Sequence, residues 1–201
     1  GLVPTLVHNG NNIIDSLVIV QYLDELFSEL ETFTPQDVVM RARMRSLMAY
    51  IDEVPTPAVR IPSYNMAFLI HFKNMPEDEF QDMANAKPLR KEFLLKFGRQ
   101  GFSKKELNES LDRLARSLVR MQLEINNTKG PWFLGNKLSI ADIAMMPVII
   151  RLEDLNLKHL WEDKPEISHW LELIKDHHAF KSTFYHGSLL TQQYPHLIEN
   201  N

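Results

Sequence analysis

Residues 3–25 read "VPTLVHNGNNIIDSLVIVQYLDE". Asn9-Gly10 stands between two short apolar runs. That dipeptide is the strongest short hairpin signal, because both residues tolerate positive φ. Thr5–His8 alternates weakly as a first strand, and Ile13 and Ile14 belong to a second. Ile19, Tyr22, Leu23 and Leu26 then recur at i, i+3, i+4 and i+7, one face of a helix. Asp15 or Ser16 is its natural N-cap. A two-stranded hairpin is marginal in water without more strands or a covering helix. One helix cannot easily cover Leu6, Ile13 and Ile14 on both faces, so the stretch reads as part of a larger α/β unit.

Outward from this stretch the signal turns helical. Residues 28–37, "SELETFTPQD", are polar and carry a Thr-Pro, the mark of a linker and a helix start. Met40, Met44, Leu47, Met48 and Ile51 then line one helical face, with Arg41, Arg43 and Arg45 off it. The three prolines within "EVPTPAVRIP", residues 53–62, predict a break or kink. Residues 63–103 are mixed, apart from a helix over "PEDEFQDMANA" with Pro76 in its first turn.

Leu107, Leu111, Leu114, Leu118, Met121 and Ile125 predict a long helix that ends at "NNTKGPW". In "LSIADIAMM", Ser139 is an N-cap and Asp142 stands at N3, a capping box. Leu138 and Ile143 are placed for a hydrophobic staple. Pro165 opens another helix with Ile167, Trp170, Leu171 and Ile174 on its buried face, and the tail from Phe180 reads as a short helix and then polar chain.

Composition narrows the function classes. The chain has 201 residues, 44% of them hydrophobic, enough for one large domain or two small ones. Its formal net charge is −4 and its Lys and Arg form no block, which argues against binding driven by phosphate neutralisation. Nucleic acid is therefore not an expected partner. No apolar run approaches the roughly 18 residues of a membrane span, so no membrane partner is expected either. Cysteine is absent, which excludes a disulfide, a zinc-thiolate site and a cysteine nucleophile within this sequence, and suits a cytoplasmic protein. The eight histidines show no HExxH spacing, and no metal site is assigned.

Two segments carry a family likeness. The Val-Pro, hairpin, acidic residue, Ser and helix of residues 3–25 resemble the second half of the thioredoxin-like domain of cytosolic glutathione transferases. "LGNKLSIADIAMMPVIIRLEDL", residues 134–155, resembles the family's helical capping-box segment, in the family's order and spacing. The long middle and the closing "FYHGSLLTQQYP", residues 184–195, are most similar to the bacterial branch that includes glutathione-dependent β-etherases.

The resemblance implies a two-domain fold: a partial thioredoxin-like α/β domain (hairpin plus helix) over residues 1–28, a linker at 29–34, and a larger all-α domain over 35–201. Family members carry a strand, a helix and another strand before the Val-Pro, and the expectation is that this segment is missing or disordered here. The Ser, Tyr or Cys that activates the thiol would then lie upstream of Gly1, and no catalytic residue is assigned in this chain.

The site residues follow from the same resemblance. Pro4 should be cis, with the Val3 backbone pairing the cysteinyl part of glutathione like a strand edge. The Ser16 hydroxyl and N–H should hold the γ-glutamyl carboxylate at the helix N-terminus, where an anion is favoured. Asp15 or a neighbour should accept from the γ-glutamyl ammonium. Tyr50, Arg60 and Tyr64 flank the proline-rich break near the family's electrophile pocket. Ser139 and Asp142 are read as structural.

The implied activity is attack of the glutathione thiolate on an electrophilic carbon of a hydrophobic substrate, with ether cleavage as one form of it, in a homodimer. Two rivals stay open: a non-catalytic glutathione-transferase-like binding or scaffold protein, and a helical interaction domain in which the hairpin is decoration.

Overall fold

The computed structural model describes residues 3–199. Strands β1 (Thr5–His8) and β2 (Asn11–Ile14) form an antiparallel pair, with Thr5 opposite Ile14 and His8 opposite Asn11. Asn9 and Gly10, at φ 50° and 77°, make the turn. Both central residues at positive φ is the geometry whose twist matches the strands it joins.

Helix α1 (Ser16–Leu26) packs on this hairpin, and a hydrogen bond joins His8 Nδ1 to the Tyr22 hydroxyl. The expected apolar face is only half of what α1 uses. Leu17 and Val20 pack on the helical core, while Ile19, Tyr22 and Leu23 are half-buried and Leu26 is exposed. A helix held between a hairpin and a helical domain needs apolar side chains on two sides, and "LVIV" supplies them.

Asp24 completes the junction. Its carboxylate accepts the Phe33 N–H at 2.7 Å, and the Phe33 carbonyl accepts the Ile140 N–H at 3.2 Å. Residues 27–37 thus cross from α1 into the helical part with one residue, Phe33, held through both its N–H and its carbonyl.

Helix α2 (Val38–Glu53) is capped by Asp37, whose carboxylate accepts the Met40 N–H at 2.8 Å. It buries Met44, Leu47, Met48 and Ile51 as their spacing predicts. It ends before the prolines, which start a second helix rather than kink the first: α3 (Pro55–Ser63) holds Pro55 in its first turn, where no N–H is needed.

A π-helical turn at Tyr64–Phe68 and a 3₁₀ turn at Leu69–His71 follow, then α4 (Glu77–Asn85) and α5 (Lys91–Phe97). Tyr64, Phe72, Phe93, Phe97 and Phe102 hold this segment by edge-to-face and tilted ring contacts at 4.7–5.5 Å between centroids. Such pairs stabilise by roughly 0.5–1.5 kcal/mol beyond area burial.

Helix α6 (Lys104–Thr128) opens with a Ser103–Glu106 capping box and runs against α3 and the later helix α8 (Pro165–Asp176). Gly130 lets the chain turn sharply after α6, because a Cβ there would collide with the Gly135 backbone. Helix α7 (Ile140–Asp154) runs through the centre of the core, with Ile140, Ile149 and Leu152 fully buried. Each such side chain contributes roughly 1.5–3 kcal/mol by burial.

The tail departs from the expected polar chain. Helices α9 (His178–Thr183), α10 (Leu190–Gln193) and α11 (His196–Glu199) bury Leu190 and Leu197. The Asp154 carboxylate ties down the start of α10 by accepting the Leu190 N–H at 2.6 Å, the Thr191 N–H at 3.1 Å and the Thr191 hydroxyl at 2.6 Å. The fold is therefore a two-stranded sheet with a helix, followed by a mostly helical domain. Among the described residues no helix is long and apolar enough to cross a membrane.

Candidate functional site

The hairpin and α1 place four of the expected residues at one edge. The Val3–Pro4 peptide is cis, and the Val3 side chain is 89% exposed just ahead of β1. Asp15 links β2 to α1 at φ 74°, ψ 127°, outside the ordinary left-handed basin. A non-glycine residue held in a sparse region costs about 1–3 kcal/mol and persists only where its surroundings demand it.

Asp15 is the N-cap, and its work falls on one oxygen. Oδ1 accepts the Leu17 N–H at 2.9 Å and the Val18 N–H at 3.3 Å. Among the described residues Oδ2 has no hydrogen bond, and neither has the Ser16 N–H or hydroxyl. Capping and binding are therefore compatible in one carboxylate. Two unclaimed donors at the positive end of α1 stand beside an unclaimed carboxylate oxygen, an arrangement suited to a zwitterionic amino-acid group.

Ser16 is also part of the wall of a cavity of about 490 Å³ bounded by α1, α2, α3, the π-helical turn and α7. The wall is mostly apolar, with Val20, Val59, Ile143 and Pro147 among its residues. Arg60, within the proline-rich segment, and Tyr64, just after it, both border this cavity. The π-helical turn carries Tyr64 and Phe68 into the same cavity wall, and such turns are frequent at functional sites.

Tyr50 is placed elsewhere. Its hydroxyl meets Ser117 Oγ at 3.0 Å and the Arg120 guanidinium lies 3.8 Å from its ring centroid, so it is half-buried against α6 and does not border the cavity. The cause is helical phase: Ile51 and Asp52 face the cavity, and Tyr50 lies about 100° around α2 from Ile51. The arginines before it do not border the cavity either: Arg43 pairs with Glu124 at 3.1 Å, and Arg41 donates to the Gln36 carbonyl at 3.4 Å.

Two charged residues in the wall were missed by sequence reasoning, Asp52 and Arg151. Ile143, Pro147 and Arg151 stand at i, i+4 and i+8 on α7, and that spacing was the available signal. Burial pulls the Arg151 guanidinium below its ordinary pKa, against the opposing pull of the Asp154 carboxylate. It remains a cation, as arginine does in proteins.

Ser139 and Asp142 sit far inside. Asp142 is 0% exposed, and its carboxylate accepts the Ser139 N–H at 2.9 Å, the Ser139 hydroxyl at 2.6 Å, the Phe133 N–H at 3.0 Å and Trp170 Nε1–H at 2.9 Å. Burial pushes this carboxyl above the usual range, and the four donors oppose that rise without cancelling it. It does not border the cavity described above, and its partners are a helix start, a loop and a buried indole. Among the described residues no cluster of three His, Cys, Asp or Glu could hold a metal ion.

Comparison with known proteins adds the family. The family model described as "Glutathione S-transferase, N-terminal domain" matches residues 1–31, and "Glutathione S-transferase, C-terminal domain" matches residues 85–176. Protein LigF of Sphingobium sp. strain SYK-6 is 27% identical over 191 residues, covering 92% of this chain and 74% of its own. The crystal structure of that protein, a beta-etherase, superposes with a TM-score of 0.79 at 24% identity over 90% of this chain and 77% of its own.

Glutathione S-transferase U8 of Arabidopsis thaliana is 43% identical over 58 residues, 29% of this chain and 26% of its own. A Pseudomonas fluorescens Pf-5 family member crystallised with S-(propanoic acid)-glutathione has a TM-score of 0.63 at 21% identity, covering 91% of this chain and 77% of its own. With both family models matched in order and the same fold in these structures, the chain belongs to the glutathione transferase superfamily.

Proposed function

We propose that the protein is a glutathione-dependent transferase that binds glutathione across Val3, Pro4, Asp15 and Ser16 and its second substrate in the adjoining cavity. One observation carries this reading: Ser16, whose two donors are unclaimed at the head of α1, is itself part of the wall of the apolar cavity. The γ-glutamyl carboxylate sits on the Ser16 N–H and hydroxyl, and the γ-glutamyl ammonium on Asp15 Oδ2. The exposed Val3 backbone pairs the cysteinyl part of the peptide.

A free thiol near pKa 8.5 is only a few per cent ionised at pH 7, so the bound state must favour the thiolate. The thiolate sulfur forms a bond to the electrophilic carbon, and the bond to the leaving group breaks with its electron pair. In the ether-cleaving form the leaving group is an aryloxide, which takes a proton from solvent. Arg60 and Tyr64 border the space where that group would lie. Among the described residues none is assigned as the thiol activator. The reading divides the chain into a glutathione-binding part (1–28), a linker (29–34) and a helical part (35–201).

We further propose a homodimer, supported by exposed Phe27, Leu30, Val38 and Val39 at the end of α1 and the start of α2.

Thermal denaturation with millimolar glutathione tests the binding site, since a ligand of the folded state raises the melting temperature by mass action. A rise that is lost in Ser16→Ala supports the site, and no rise in the full chain rejects it. Glutathione-dependent turnover of a nitroaryl halide, and phenol release from a β-aryl ether, then separate an enzyme from a scaffold.

A further inference from the structure

Arg151 and Arg60 border the same cavity from α7 and α3. Among the described residues neither guanidinium has a hydrogen-bond or ion-pair partner. The carboxylate whose charge acts on Arg151 is already committed: both Asp154 oxygens accept from Leu190 and Thr191, and Asp154 acts on Arg151 only through space. Glu153 is held by Lys158 and Lys175. Asp52 borders the cavity without an ion pair to either arginine. Two cations and one anion therefore face a mostly apolar space, which leaves it one positive charge in excess.

Arginine presents five donors in a planar fork that matches a carboxylate in two parallel hydrogen bonds. Arg60 is exposed and Arg151 half-buried, so both guanidinium groups keep water as their partner until an anion replaces it, and the apolar walls beside them strengthen that charge-assisted contact. The remaining walls suit a ring: Val59 and Ile143 are flat aliphatic surfaces, and Phe68 offers an aromatic face or edge. The volume of about 490 Å³ falls within the range of sites for small organic ligands.

We infer that this cavity takes an aromatic carboxylate, with its ring against Val59, Ile143 and Phe68 and its carboxylate held by Arg151 and Arg60. That this ligand is the second substrate rests on the proposed transferase function; that it binds does not. The electrophiles turned over best would then carry an acid group remote from the reacting carbon. Arg151 and Arg60 would set specificity by charge while the apolar walls set it by shape.

The experiment compares 2-naphthoate with 2-naphthamide, its neutral isostere, by calorimetric titration of the full chain without glutathione. The expected result is at least ~10-fold tighter binding of the carboxylate, with a preference that shrinks as salt rises. Arg151→Met should abolish the preference, Arg60→Met should reduce it, and Arg151→Lys should retain part of it. Equal binding of the two compounds, or a full preference in folded Arg151→Met, overturns the inference.

Should Arg151→Met lose its cooperative melt, Arg60→Met decides: a reduced preference supports the inference and an unchanged one overturns it. The glutathione melting shift is recorded on the same samples. Loss of that shift with an intact naphthoate preference defeats the transferase reading alone, and the converse defeats this one alone.

Discussion

Asp24, only 8% exposed near the end of α1, accepts the Phe33 N–H at 2.7 Å, and the Phe33 carbonyl in turn accepts from Ile140 at the head of α7. One residue is thus fixed through both its N–H and its carbonyl, and the helix that carries Ser16 is tied to the helix that carries Arg151. Asp24→Ala strips the Phe33 N–H of its partner in a partly buried place, a loss of about 1–3 kcal/mol. Amide hydrogen exchange should report it as faster opening of residues 16–34 than of α7. Unchanged protection there would mean that apolar contacts alone hold α1.

Asp142 is a stability residue. Asp142→Ala leaves the Ser139, Phe133 and Trp170 donors unpaired, at about 1–3 kcal/mol for each buried donor that finds no other partner. The melting temperature should fall steeply. At a temperature where the variant is still folded, glutathione affinity should match the parent protein. Weakened affinity with an unchanged melting temperature would instead make Asp142 part of the site.

Asp15 separates its two roles by substitution. Asp15→Ala removes the cap and keeps an unfavourable φ, so it should lose about 1 kcal/mol or more. Asp15→Gly relaxes the backbone and, as an N-cap, costs only a few tenths of a kcal/mol by comparison. Both lack the oxygen assigned to the γ-glutamyl ammonium, so both should weaken glutathione binding roughly tenfold or more. Tight binding by Asp15→Gly would leave the carboxylate a cap alone.

Glu153 gives an acid-side signature. Burial pushes its carboxyl up, but the ammonium groups of Lys158 and Lys175 pull it down further, so its pKa lies below the ordinary glutamate value. A depressed carboxylate stabilises the fold above its unfolded pKa and loses that contribution as pH falls through the folded value. Glu153→Gln should therefore be less stable than the parent near neutrality, by on the order of 1 kcal/mol, since both lysine partners are solvent-exposed. Urea denaturation followed down in pH from 7 should show the two stabilities converging once the pH falls below the ordinary glutamate value. A constant gap would assign the loss to packing.

Where a strong local signal existed, the sequence was readable. Asn9-Gly10 marked the turn, the Leu107–Ile125 spacing marked α6, and Ser139–Asp142 marked the start of α7. α1 was harder, because Leu17, Val18, Ile19 and Val20 are apolar in succession and a continuous run has no single phase. Within residues 64–102 only α4 was legible, from "PEDEFQDMANA", and the rest was opaque for a different reason. Its short helices are held by rings contributed from several turns, and no helical period records those contacts.

Of the candidate site, the corner at Asp15–Ser16 was legible through the family likeness. The cavity was not, since its walls come from α1, α2, α3 and α7, and only the fold brings Arg60 and Arg151 to one space. Tyr50 shows the limit of nearness in sequence: it lies next to Ile51, which borders the cavity, yet points at Ser117.

The π-helical turn at Tyr64–Phe68 makes the cavity sensitive to chain length in a way that composition does not reveal. Such a turn behaves as an α-helix carrying one surplus residue. Removing a single residue there would restore ordinary winding and rotate everything beyond it by about 100° relative to α3. Phe68 would leave the wall, and the rings that follow would lose their partners. A family that varied this segment could therefore reshape its pocket by one insertion or deletion, with every lining side chain still encoded.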